Sequence, residues 1–100
     1  MPALLDRRPD AVFCDDDRLA LGVLRALTDA GLRVPQDVAV IGAGDSEEGR
    51  YSHPALTTVA ADPADVARQA LTLVEARLTS PDAPPTHVVV PHRVVPRESA

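Results

Sequence analysis

The polar chemistry of this chain is concentrated in two places. One is the triplet Asp15-Asp16-Asp17, and the other is Gly42, Ala43, Gly44, Asp45 and Ser46 followed by Glu47 and Glu48. Carboxylates in such settings can accept paired hydrogen bonds from vicinal hydroxyls or from a cationic group. They can also gather a hard cation or share a proton as an acid–base pair. A cation is disfavoured, because consecutive residues entering a helix diverge and the other oxygen ligands it needs are not evident. Asp45 with Glu47 or Glu48 imitates an acid–base pair only in composition, since carboxylates clustered on a loop are usually solvated. Ser46 and Ser52 have no glycine-elbow context, and Ser52 next to His53 does not by itself make a triad. Gly42 and Gly44 supply part of a dinucleotide fingerprint, but position 47 is Glu where a third glycine must open a helix. His53, His87 and His92 share no metal-ligand spacing. The expectation is therefore no catalytic residue, no metal and no cofactor, with small-molecule contact at the two polar turns.

The elements around those turns are legible. Ala11 to Cys14 is a short apolar run bounded by turn residues and reads as a buried strand. From Arg18 to Ala30, Leu19, Ala20, Val23, Leu24 and Leu27 recur at helical spacing, and Leu21 and Ala26 widen the stripe beyond one face. Asp17 is the preferred helix cap, with acidic charge favourable at a helix start. Gly31 then suits the helix stop, with Leu32 placed for the hydrophobic contact of a Schellman ending. Val38 to Ile41 is a continuous apolar run, as expected of a strand covered on both faces. Strand, helix and parallel strand imply a right-handed crossover, which puts both polar turns on the carboxyl rim of the sheet. That rim is where open α/β sheets bind small ligands.

Gly42 to Thr57 reads as one long loop, and loops of this length in compact domains are usually functional or mobile. Thr57 to Ala60 has the look of a short strand. Asp62 as cap and Pro63 at the first helical position begin the clearest helix, running to Leu78 with an apolar stripe of Val66, Ala67, Ala70, Leu71, Val74 and Leu78 that must be buried against something. Pro81 to Pro85 is turn-rich, and His87 to Val90 and Arg93 to Val95 are two short apolar runs split by Pro91-His92.

Composition narrows the function further. One hundred residues make one small domain or a piece of a larger one. The net charge is −5 and the ten basic residues, all Arg, are scattered apart from Arg7-Arg8, so the chain has no basic face for nucleic acid. Cys14 is alone, which excludes an intrachain disulfide and makes a small buried hydrophobe its ordinary role. No stretch approaches the ~18 apolar residues of a membrane span. With no signal-peptide h-region in MPALLDRRPD, a cytoplasmic location is expected.

RPDAVFCDDDRLALGVLRALTDAGLRVPQDVAVIG, then HPALTTV, then VVVPHRVVPRES together resemble the C-terminal part of the LacI/GalR transcriptional regulators. The resemblance covers nearly the whole chain in order, and the combination is more specific than any piece. It implies an α/β class: a parallel-sheet, doubly wound lobe of the periplasmic-binding-protein type I-like fold, incomplete in this chain. Residues 1–60 would form the C-terminal lobe, 61–80 a helix expected to pack on an N-terminal lobe, and 86–97 the returning C-terminal strands. It further implies a homodimer that binds a small molecule, usually a sugar, between two lobes. Operator DNA would be bound through a helix-turn-helix absent from this chain. Met1, at the tail of an expected helix, reads as the start of a fragment.

The resemblance also distributes roles. Asp16 stands at the Asn position that contacts effector hydroxyls. Ala43 and Gly44 replace the family's aromatic residue and the Asp that commonly binds effector, which implies either an effector that is not a typical sugar or substitution by Asp45 and Ser46 one step further on. Leu19, Val23, Tyr51, His53, Pro54 and Leu56 fall where the family places its dimer contacts. A solute-binding protein of a sugar transporter, built on the same fold, is the alternative; the VP-rich ending VVVPHRVVPRES favours the regulator. The stripe from Val66 to Leu78 sets a stability expectation as well. Burying a Leu or Val side chain is worth about 1.5–3 kcal/mol, against about 5–15 kcal/mol for a whole domain. A chain that leaves the stripe unpartnered should be marginally stable.

Overall fold

The structure, a computed structural model, describes residues 2–100, so Met1 and the expectation attached to it lie outside the described residues. It divides into two compact units, the residues up to Ala60 with Val94–Ala100, and Ala61–Arg93. The first unit carries α1 (Pro2–Leu5), β1 (Ala11–Phe13), α2 (Asp17–Asp29), β2 (Ala39–Ala43), α3 (Glu47–Tyr51) and nearly all of β3 (Thr57–Ala61). The second carries α4 (Pro63–Thr79) and leads into β4 (His92–Val95). The sheet order is β1-β2-β3-β4. Val12 pairs in parallel with Val40, and Gly42 in parallel with Thr58. The expected β-α-β unit is present, in a mixed α/β fold with a mostly parallel sheet.

The stop of α2 has the two bonds of a Schellman ending: Gly31 N–H donates to Thr28 O (3.0 Å) and Leu32 N–H to Leu27 O (2.9 Å). Leu32, half-buried, packs back on the core. Helix α2 lays Ala20, Leu24 and Leu27 against Val38 and Val40, and Leu56 and Cys14 close the cluster.

Four expectations require correction here. The strand read as buried, β1, leaves Ala11 and Phe13 exposed and Val12 half-buried, with only Cys14 beyond its end buried. Strand β2 is covered on one face only: Val40 and Gly42 are buried, whereas Ala39, Ile41 and Ala43 are half-exposed. Alternating side chains point to opposite faces, and α2 supplies cover on one. The stretch read as a single loop contains α3, a short helix that Ser46 caps by accepting from Gly49 N–H at 3.1 Å. The run His87 to Val90 joins no strand, while β4 begins at His92. Pro85 and Pro91 bracket that run, and proline cannot donate to a ladder.

In the second unit, Asp62 caps α4 by accepting from Ala64 N–H at 3.0 Å, with Pro63 in the first turn, as the sequence predicts. No residue of α4 is buried. Val66, Leu71, Val74 and Leu78 are all exposed.

Candidate functional site

The two polar corners meet through a single buried carboxylate. Asp17, 3% exposed, opens α2 and reaches across to the neighbouring strands. Its Oδ2 accepts from Ser46 N–H at 2.6 Å, and its Oδ1 accepts from the Thr58 hydroxyl at 2.8 Å. A carboxylate beside a helix N-terminus is electrostatically favoured, and charge-assisted bonds of this kind are the strong ones. The approach needs Gly42: a Cβ there would sit 2.3 Å from Asp17 Oδ1 and 3.0 Å from Leu56 Cδ2. Asp17 is therefore not the helix cap. Asp16 holds that position, in extended backbone, with Oδ1 accepting from Leu19 N–H at 2.8 Å. An N-cap lies just outside the helical dihedrals, which leaves Asp17 as the first helical residue and frees its side chain for tertiary bonds.

Between the corners lies a cleft of about 440 Å³. Asp16, Arg18, Glu48 and Ser46 give it polar walls, Gly44 bares its backbone there, and Leu21 and Ala43 contribute apolar surface. Gly44 sits at φ +120°, a conformation that a side chain would strain, and a Cβ there would meet nothing within 4 Å. Two polar groups remain available. Asp16 Oδ2 has no protein donor among the described residues, and Ser46, though its Oγ accepts from Gly49, keeps its own O–H free. Phe13 and Tyr51 are not part of the lining.

Three of the four expected effector contacts, Asp16, Gly44 and Ser46, thus face one cleft, and Asp45 does not. Asp45 Oδ1 takes a hydrogen bond from Arg97 Nη2 at 2.5 Å, and Oδ2 takes one from Arg50 Nη2 at 3.2 Å. The Arg97 guanidinium holds the Asp45 carboxyl below the usual carboxylate range; partial burial opposes this and Arg50 reinforces it. Asp45 is not part of the cleft lining, and each of its oxygens accepts from an arginine. Asp15 is exposed, Asp16 caps and Asp17 is buried, so the triplet points three ways. Among the described residues no group of three or more His, Cys, Asp or Glu is placed to hold a metal ion. Burial, and after it Asp15 and Asp16, pushes the Cys14 thiol up, away from the reactive thiolate.

The residues expected at a dimer contact separate by burial. Leu19 is 57% exposed, Tyr51 80% exposed, and His53 is also exposed. Val23 is half-buried against the core and Pro54 is half-buried. Leu56 is fully buried and belongs to the core, packing close to Gly42 and Gly49, so it cannot present a side chain to a partner.

Sequence reasoning missed the tail. Ser99, fully buried, bridges two strands: its Oγ donates to Val40 O (2.6 Å), its carbonyl accepts from Val40 N–H (2.9 Å), and Thr57 N–H donates to its Oγ (2.8 Å). Glu98 N–H donates to Ala55 O, and Glu98 Oε1 accepts from Ala55 N–H. Arg97 N–H donates to Thr57 Oγ1 and Arg97 Nη1 to Leu56 O, both at 2.9 Å.

Residues 1–100 match the model of the periplasmic binding protein-like domain. The chain is 40% identical over 77 residues to the HTH-type transcriptional repressor PurR of Haemophilus influenzae, covering 77% of this chain and 23% of that protein. A transcriptional regulator of the LacI family from Sanguibacter keddieii superposes with a TM-score of 0.86 at 42% identity, over 97% of this chain and 38% of that one. The transcriptional regulator CelR in complex with cellobiose gives 0.85 at 37% identity, over 97% of this chain and 30% of that one. The chain spans about a quarter of the length of the curated relatives it matches.

Proposed function

Because the chain belongs to the periplasmic binding protein-like domain family, in the branch of the LacI-type regulators, we propose that it is an effector-sensing segment of a transcriptional regulator. The observation that carries this reading is the cleft at the carboxyl rim, where Asp16, Gly44 and Ser46 converge. The free Asp16 oxygen accepts from ligand hydroxyls and the Ser46 O–H donates to a ligand oxygen. Arg18 and Glu48 supply one charge of each sign, and Leu21 and Ala43 face the C–H surface of a ring. That set suits a polyhydroxylated, sugar-like molecule, in keeping with the cellobiose held by CelR. The ligand acts on transcription by binding one arrangement of the regulator better than another, since only differential affinity shifts an equilibrium. Operator DNA is contacted by a DNA-binding domain outside this chain, consistent with the net charge of −5. A homodimer forms through Leu19, Tyr51 and His53, with Val23 and Pro54 at the margin. The chain performs no catalysis, and no helix among the described residues is long and apolar enough to cross a membrane.

Calorimetry and thermal shift with cellobiose, pentoses, hexoses, nucleosides and polyols test the ligand reading. At least one should raise the midpoint, and Asp16→Ala should weaken its binding about tenfold, a change of about 1.4 kcal/mol. Asp16→Asn, which preserves the cap, should retain most of the affinity. A flat response to the whole panel overturns the proposal. Light scattering tests assembly separately, and a clean monomer at high concentration counts against the interface.

A further inference from the structure

Arg97 lies behind the cleft rather than in it, yet it is tied to the wall at three atoms. The backbone N–H bonds Thr57 Oγ1, Nη1 bonds the Leu56 carbonyl, and Nη2 bonds Asp45 Oδ1. Its side chain is only 16% exposed. At its far end the segment is held by Ser46, whose N–H bonds the buried Asp17 Oδ2 at 2.6 Å; its Gly44–Asp45 half has much less to fix it. Gly44 and Asp45 are consecutive residues with positive φ, +120° and +59°. Behind them, Gly44 N–H donates to Val59 O (2.9 Å) and Asp45 N–H makes a long bond to Thr58 Oγ1 (3.3 Å). Gly44 and Ser46 face the cleft while Asp45 points to the rear, so any rotation of Asp45 carries the ligand-facing Gly44 with it.

We propose that Arg97 is a positioning residue of the cleft, the anchor that sets the Gly44–Ser46 corner in its ligand-ready shape through Asp45. This rests on the reading that the cleft takes a ligand. Arg50, the other partner of Asp45, supplies the contrast: its side chain is 54% exposed and it makes one 3.2 Å contact. A solvated pair of that sort contributes little, whereas a sheltered guanidinium spread over a carboxylate and a carbonyl orients both. Arg97 is therefore specific in effect and Arg50 is dispensable.

The experiment compares R97A, R97K and R50A in the whole chain, reading amide hydrogen exchange and calorimetric binding of cellobiose. R97A should speed exchange at the Gly44 and Asp45 amides about tenfold or more while the Ser46 amide, held by Asp17, and Leu24, in the core of α2, change less than about twofold. R97K keeps a charge for Asp45 but loses the carbonyl bridge, and should give about a threefold rise at the same amides. R50A should leave both readouts within about twofold of the parent. Cellobiose affinity should fall about tenfold in R97A. Exchange that rises equally at Leu24 makes Arg97 a general brace and overturns the proposal, as does an unchanged corner or an R50A effect equal to that of R97A. If R97A does not fold, R97K against R50A decides on the same amides. If the parent binds no cellobiose or other probe, the ligand reading fails on its own, and the exchange comparison still decides the role of Arg97.

Discussion

Helices α2 and α4 begin alike and end differently. Each starts with an aspartate cap, Asp16 or Asp62, whose side chain bonds a first-turn amide. Each has apolar residues at helical spacing. Yet α2 buries Ala20, Leu24 and Leu27, and α4 buries nothing. Capping and periodicity say that a helix forms and which face is apolar; they do not supply the surface that covers that face. Helix α2 has β2 and Leu56 beneath it, whereas α4 stands exposed in its own unit with Val66, Leu71, Val74 and Leu78 uncovered. The stability of the first unit is thus a packing property, and that of α4 rests on local terms such as its cap and the Arg68–Asp65 pair.

The contrast breaks most visibly at Leu27. Truncating this fully buried side chain, Leu27→Ala, should cost the first unit about 2–5 kcal/mol in urea unfolding. A loss comparable to that of a surface site would mean that the α2 seam is not the core. Gly42→Ala comes next, because its new Cβ would crowd Asp17 Oδ1 from 2.3 Å; a penalty of about 1–3 kcal/mol is expected by the same measurement. A stability unchanged by that substitution would show that the buried carboxylate can move aside. Acid should act in the same unit. Asp45 has a folded pKa below its unfolded one, so its contribution is present above the unfolded value and lost as pH falls through the folded value. Asp45→Asn should therefore flatten the loss of stability at acid pH, and an unaltered slope would place that loss elsewhere. Smallest of all, Leu71→Ala on α4 should fall within about 0.5 kcal/mol of the parent, since the site is exposed and alanine favours helix. A penalty near that of Leu27→Ala would reveal a partner covering α4 in solution.

Much of the architecture could be read from local signals. The apolar runs, the Gly31 stop, the Asp62-Pro63 start and the family wording all led to a parallel α/β fold, and Asp16, Gly44 and Ser46 were placed around a common opening. What escaped reading depends on residues distant in sequence. In Asp15-Asp16-Asp17 either of two adjacent residues satisfies the rules for a cap. The choice turns on Ser46 and Thr58, 29 and 41 positions away, which claim the Asp17 carboxylate. Leu56 stands as the one large apolar side chain among Pro54, Ala55 and Thr57, with no periodicity to mark it as core. Helix α3 is polar, contains Gly49 and spans 5 residues, too short for a pattern. Arg97, Glu98 and Ser99 have the composition of a loose polar tail, and only their partners show that they bind β2, β3 and the cleft corner.

Ser99 also governs when the sheet can be finished. Val40 has both its N–H and its carbonyl bonded by a residue 59 positions further along the chain. At a translation speed of about 5–20 residues per second, roughly 3–12 s separate synthesis of the two. Throughout that interval the nascent β2 displays an unmet donor and acceptor beside the start of β3, a gap open to any strand-like intruder. Slower codons between Pro54 and Arg97 would prolong that exposure, and faster ones would shorten it.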